Sequence, residues 1–437
     1  MPPAGLAPPL VPPLPQADPV APPAIGPGWG SVQYRVELST GFLATGVAAG
    51  GEWDVDDWND ATDALWGGTE RAWTDITSDW IDLQIKRGRR RRGSHYTAGT
   101  GRIRLSNREG TYSPTQPPEA DINLTIGSYF RVLAIHNGIS HVRFVGTVRS
   151  VVDTTIPGKS PIVTINLVDA FGYLAGLNRV AVSAVGGSEL SGARIDRLLD
   201  DLSWPEEDRL LDAGVETMQA TTKAGNLLTE LYLTADSDGG ELLINRAGMI
   251  VFRDRNTVEY RAGRDPALTV AGYSDPGGEG PWIAWAGYSP EYALDRIINE
   301  AAIGRVGGTV QTTTDTTSIS TYGKRSALRT DLLNESDVWP AALAAQIVAS
   351  RKDAAELITS VELTDGDGDA TDAVLRLELG DPIRTRRLIG SGASEYEVDE
   401  LALIQGIELK ARPGRVDPSS GSRRDLWSVK LATDTTL

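Results

Sequence analysis

A chain of 437 residues has room for about three domains, each large enough to bury its own core. Hydrophobic residues at 40% and charged residues at 23% exclude wholesale disorder, and the absence of cysteine excludes disulfides, thiolate nucleophiles and zinc-thiolate sites. With 42 basic against 59 acidic residues, the net charge of -17 repels nucleic-acid phosphates, which argues against stable DNA binding while allowing a conduit through which DNA slides.

No window approaches the ~20 apolar residues that cross a bilayer. No Lys or Arg precedes Arg35, so the basic region that opens a secretory signal is missing. Residues 1–30 form a proline-rich arm: 11 of the 25 prolines and a single charge, Asp18, fall within the first 28 positions. Such a stretch cannot build a core and is expected to be extended and polyproline-like, either as a disordered leader or as a strap that orders on a neighbouring subunit.

Residues 31–127 read as a β domain carrying a tryptophan-rich and an arginine-rich segment. Ile81, Leu83 and Ile85 alternate with polar residues, as do Ile103 and Leu105, which is the period of half-buried strands. Residues 128–180 continue as a small barrel segment. Val142, Phe144 and Val148 share one strand face, Val163, Ile165 and Leu167 another, and Gly146 is expected at a bulge or corner. The period becomes helical in an α/β insert over 181–262. Ile195, Leu198, Leu199 and Leu202 follow a cap at Ser191, and Ala224, Leu227, Leu228 and Leu231 repeat the spacing before Asp236-Ser237-Asp238-Gly239-Gly240 turns into a hairpin over Leu242 to Phe252.

Residues 263–412 read as a second β domain with one helix, marked by Trp339, Leu343 and Ile347 beginning near Pro340. Strands are expected at Leu375, Leu377 and Leu379 and at Leu403, Ile407 and Leu409, with an exposed tail over 413–437. The fold class is therefore mainly β with an α/β insert, built from several small barrels or sandwiches.

Motifs for chemistry are incomplete. Gly158-Lys159-Ser160 resembles the end of a phosphate loop, but Asp153 stands where the opening glycine belongs, so a polar hairpin turn fits better. Asp365-Gly366-Asp367-Gly368-Asp369 has calcium-loop spacing, yet Ala370 and Arg376 occupy the sixth and twelfth positions, leaving a weak metal site or a solvated turn. His95, His136 and His141 make no metalloprotease pair, and no residue stands out as catalytic, cofactor-binding or metal-ligating. The chain reads as non-enzymatic.

Two clusters suit contact with a partner. Lys86, Arg87, Arg89, Arg90, Arg91 and Arg92 form a dense basic run, fitting nucleic-acid phosphates, an acidic protein neighbour, which the net charge favours over DNA, or a solvated strand end. Trp53, Trp58, Trp66, Trp73 and Trp80 lie within 28 residues and fit core or subunit packing, or a sugar-binding platform.

Four segments in order carry a resemblance. They are Trp73-Thr74-Asp75-Ile76-Thr77 through Ile85-Lys86-Arg87-Gly88-Arg89 to Gly110-Thr111-Tyr112-Ser113-Pro114; Tyr129-Phe130-Arg131-Val132 with Arg143-Phe144-Val145-Gly146-Thr147-Val148 and Val168-Asp169-Ala170; Ile298-Asn299-Glu300 with Tyr322-Gly323; and Leu379-Gly380-Asp381-Pro382-Ile383 with Leu403-Ile404-Gln405-Gly406-Ile407. Together the sequence resembles the minor tail proteins, or baseplate hubs, of long-tailed phages of actinobacteria. The resemblance implies β-barrels ringed below the tail tube at the virion tail tip, assembled in the host cytoplasm. It implies a homotrimer whose duplicated barrels mimic sixfold symmetry, with a hexamer as the alternative, contacting the distal tail and tape-measure proteins and letting DNA pass. The proline-rich arm departs from that pattern, and no lytic domain is appended. A receptor-binding module reading cell-surface glycan through the tryptophans is the rival reading, and a peptidoglycan hydrolase using two carboxylates is a third.

Overall fold

A computed structural model describes residues 32–39, 71, 73–91, 93–114, 122, 124–179, 185–221, 225–272, 281–364, 368–389, 396–414 and 425–435. The proline-rich arm, Trp53, Trp58, Trp66, Arg92 and the start of the calcium-like loop, residues 365–367, lie outside these residues.

The first sheet uses strands β1 (Gln33–Ser39), β2 (Trp80–Gly88), β3 (Thr97–Ser106), β4 (Tyr129–His136), β5 (Ile139–Thr154) and β6 (Ile162–Val168), followed by the short helix α1 (Ala170–Leu174). Their order is β1–β4–β5–β6–β3–β2, all antiparallel, so the boundary drawn at residue 127 falls inside one continuous sheet. Alternation sends Leu83, Ile85, Ile103, Leu105, Val163, Ile165 and Leu167 inward as expected. Gly146 leaves room for the Phe144 ring, which a Cβ there would meet at 2.6 Å. The Pro157-Gly158-Lys159 segment is a turn between β5 and β6, closed by Lys159 N–H on the Ile156 carbonyl.

In the insert, α2 (Ser191–Asp200) and α3 (Leu227–Asp238) pack on a hairpin, β7 (Glu241–Ile244) with β8 (Ile250–Arg253), which precedes α4 (Arg255–Ala262). Ser191 opens α2 but does not cap it. Its hydroxyl donates at 2.7 Å to the fully buried Asp238, which also accepts from the backbone of Val215, Glu216 and Arg255. A buried carboxylate needs all its lone pairs filled, and that demand outweighs a local cap. Gly239, left-handed at φ 78°, ends α3 two residues before the hairpin begins at Glu241.

The second β unit begins with β9 (Thr269–Ala271) and β10 (Trp282–Tyr292). A small three-stranded sheet follows, β11 (Glu300–Arg305) between β12 (Gln311–Thr314) and β13 (Ser326–Leu332), with helix α5 (Thr316–Tyr322) between the last two. Helix α6 (Val338–Arg351) covers that sheet, joining Ala344 and Val348 to Ala301, Ile303 and Leu332. Then come β14 (Glu356–Leu363), α7 (Gly368–Arg376), β15 (Pro382–Ile389), β16 (Tyr396–Arg412) and β17 (Leu426–Thr435). The pairings β9–β10–β14–β17–β16–β15 return to β9 and close a six-stranded barrel, with Val270, Ile358, Ile383, Ile404 and Leu431 buried.

Two expectations are corrected here. Residues 426–435 are not an exposed tail but a strand that the barrel needs for closure, paired with both β16 and β14. Trp427, Val429 and Leu431 alternate inward along it, a period too short to separate from the polar residues around it by sequence. The alternation at Leu375, Leu377 and Leu379 is not a strand: Leu375 lies in the last turn of α7, because Ala370, Val374 and Leu375 also satisfy helical spacing.

The 17-residue β16 joins the two β units. Its first half pairs with β15 in the barrel, its second half with β2 of the first sheet, and a register shift between Ile404 and Gly406 marks the passage. The strands touch there because Gly88 of β2 faces Gly406: a Cβ on Gly88, at φ 104°, would fall 2.3 Å from the Gln405 carbonyl oxygen. Since closure runs through β17, Leu431→Ala is expected to cost about 3 kcal/mol, read as a lower urea midpoint at unchanged slope.

Candidate partner interface and the junction behind it

Strand parity divides the basic run. Leu83, Ile85 and Arg87 share the inward face of β2, so Arg87 is buried while Lys86 points outward. Arg87 donates at 2.8 Å to Glu378, just after α7, and the same carboxylate accepts from the backbone N–H groups of Leu379 at 2.8 Å and Arg246 at 2.9 Å. Burial alone would raise the Glu378 pKa. Arg87 and those backbone donors outweigh it and hold the carboxyl down at about 2. Arg89 also turns inward, bonding Gln405 at 2.7 Å and Glu241 of the insert, with its guanidinium over the Tyr96 ring. Arg90 and Arg91 stay exposed, Arg91 lying 3.6 Å from Asp295, and Lys86 sits 3.5 Å from Glu408.

Around Glu378 three parts of the chain meet through arginine. Arg143 of β5 and Arg246 of the insert donate to the Leu375 carbonyl, and Arg246 also to that of Arg376, satisfying the last turn of α7. Burial first, then the neighbouring Arg87 and Arg246, lower the Arg143 pKa to about 10. Arg253 bonds the Leu379 carbonyl at 2.7 Å, and Arg261 pairs with Asp381. On the helix itself, Asp372 meets His136 at 2.7 Å and His141 at 3.7 Å. His141 is pushed down to about 4 by burial and by Arg246. The arrangement ties the first sheet, the insert and the segment after α7 together.

Of the tryptophan cluster, Trp80 is buried against Tyr34 and Trp73 lies under the Arg131 guanidinium. Both pack within the chain. Sequence reasoning missed a larger basic surface, because its members are far apart along the chain. Cross-strand pairing of β3, β2, β16 and β17 gathers Lys86, Arg102, Arg104, Lys410, Arg412 and Lys430 on one outward face. A groove of about 340 Å³ crosses it.

The sequence matches no protein-family model and no curated protein. The structure is similar to the tail protein from Neisseria meningitidis MC58, with a TM-score of 0.52 at 12% identity, over 92% of this chain and 96% of that one. The fold is shared with that tail protein. The 43 kDa tail protein of prophage MuSo2 from Shewanella oneidensis is also similar, with a TM-score of 0.48 and 13% identity over 84% of this chain and 94% of that one. A chain of the Francisella PdpA-VgrG complex gives 0.46 and 8%, with 94% of this chain matching 53% of that one. The Neisseria protein carries the conclusion, which concerns fold. Among the described residues no helix is long and apolar enough to cross a membrane.

Glu378→Gln removes the partner of a buried guanidinium and is expected to cost about 3–5 kcal/mol at pH 7. The folded carboxyl ionises near 2 and an unfolded one near 4.5, so its stabilisation is complete above 4.5 and is lost as pH falls toward 2. Urea midpoints of wild type and variant should therefore differ most at pH 7 and converge as pH drops through 4 to 3.

Proposed function

We propose that this chain is a structural subunit of a bacteriophage tail tip, a baseplate-hub or minor tail protein that acts by assembly and not by catalysis. The observation that carries the reading is the tail-protein fold over nearly the whole chain, whose two β units are locked together by the Arg87–Glu378 junction. In this reading the protein is a self-assembling ring, a homotrimer or alternatively a hexamer, closing the tail tube in phages of actinobacteria. It contacts the distal tail and tape-measure proteins, takes part in host attachment, and lets DNA pass without gripping it. Open sheet edges outside the closed barrel favour such an assembly, since edges left unpaired invite unwanted association. Arg90, Arg91 and Arg92 are the members of the basic run proposed to meet a neighbouring protein; Lys86 joins the larger face described below.

The test is the purified full chain in sedimentation velocity, together with its detection at one end of intact virions by antibody labelling. Oligomers at micromolar concentration and label at the tail tip are expected. A monomer absent from particles would defeat the reading. The glycan-binding rival predicts instead that Trp53→Ala with Trp58→Ala abolishes binding to host surface glycan without loss of fold.

A further inference from the structure

Three cross-strand rows build the basic face. Thr100, Lys86, Glu408 and Lys430 align across the four strands; Arg102, Gln84, Lys410 and Ser428 form the next row; Arg104 with Asp82 and Arg412 with Leu426 form the third. On this grid six cations stand against two carboxylates, Asp82 and Glu408, in a chain whose overall charge is -17. Asp82 is engaged by Arg104 at 2.7 Å and Glu408 by Gln84 at 2.7 Å, so the local carboxylates are already occupied. Lys410 and Lys86 share Glu408, at 3.2 Å and 3.5 Å, so one carboxylate answers two cations and the face keeps a net positive charge. Such a patch is not required by the fold, because the core beneath is apolar: Leu83, Ile85, Ile103, Leu409 and Val429.

The opposite sign gathers at the end of α2. Asp196, Asp200, Asp201, Glu206 and Glu207 are exposed within twelve residues of chain, and five carboxylates there are answered by two guanidiniums, Arg209 on Asp196 and Asp200 and Arg179 on Asp201. We infer that the basic face of one copy seats the acidic corner at the end of α2 of a second copy, a head-to-tail contact that propagates round a closed assembly. This rests on the self-assembling reading above and names the surfaces that make it. The pairing matches charge to charge across two surfaces that no element of the same chain covers among the described residues. The groove over Lys410 and Arg412 gives the corner a concave seat.

Sedimentation velocity of the full chain, with a salt series, tests it. Lys410→Glu with Arg412→Glu should abolish self-association at low salt while leaving thermal melting unchanged, since both side chains are exposed. Glu206→Lys with Glu207→Lys, both exposed, should do the same from the other side. A mixture of the two variants should associate again, because each then offers the surface that the other lacks. Association should weaken at least tenfold in Kd between 50 mM and 500 mM salt. Variants that self-associate like wild type would overturn this contact while leaving assembly intact. A wild type that stays monomeric would instead bring down the assembly reading itself. Wild-type binding to duplex DNA that the Lys410 and Arg412 variant loses, with self-association unchanged, would also overturn it.

Discussion

Glu378, its side chain 15% exposed, sits where the first sheet, the α/β insert and the closed barrel meet, and each sends a donor to it or to the residues beside it. Arg87 comes from β2, the Arg246 backbone from the insert, and Leu379 from the loop leading into the barrel. A carboxylate in that position is tolerable because one guanidinium and two backbone N–H groups donate to it. The guanidiniums of Arg143, Arg246 and Arg253 then fill carbonyls at the end of α7 and in the turn after it. Removing Glu378 would leave the buried Arg87 guanidinium without its carboxylate, so the units are expected to stay fixed relative to one another. The assembly role proposed above would need this rigidity more than a cleft.

The passage of β16 between the two β units depends on the same place. Gly88 and Gly406 allow close contact where the strand leaves the barrel for the first sheet, and Arg89 binds Gln405 across that contact by side chain and backbone. The packing of backbone on backbone and the ion pairs beside it are therefore one structure. An arginine in this setting contributes planar, multiple hydrogen bonds that lysine could not supply.

Much of this was legible in the sequence. Period-two runs placed β2, β3 and β6, helical spacing placed α2, α3 and α6, and the alternation of Leu83 and Ile85, carried two residues further, assigns Arg87 to the inside. Reading the basic run as a single surface missed that parity. What sequence could not give is long-range pairing. Nothing local to residues 426–435 says that they close a barrel with β14, and nothing near Lys410 says that it will lie in one row with Arg102. Leu375 failed differently, because a short apolar alternation satisfies strand and helix alike until burial decides.

Charge distribution bears on how such a chain could assemble at all. A net charge of -17 makes two copies repel at long range, which keeps the free chain soluble and opposes random contact. A single concentrated basic face changes the balance for one approach only, since at distances near the Debye length of about 8 Å a protein meets local charge more than net charge. Repulsion elsewhere then favours correct orientation instead of preventing association. The two properties are complementary: without the acidic remainder the basic face would attract indiscriminately, and without the face the remainder would hold every copy apart.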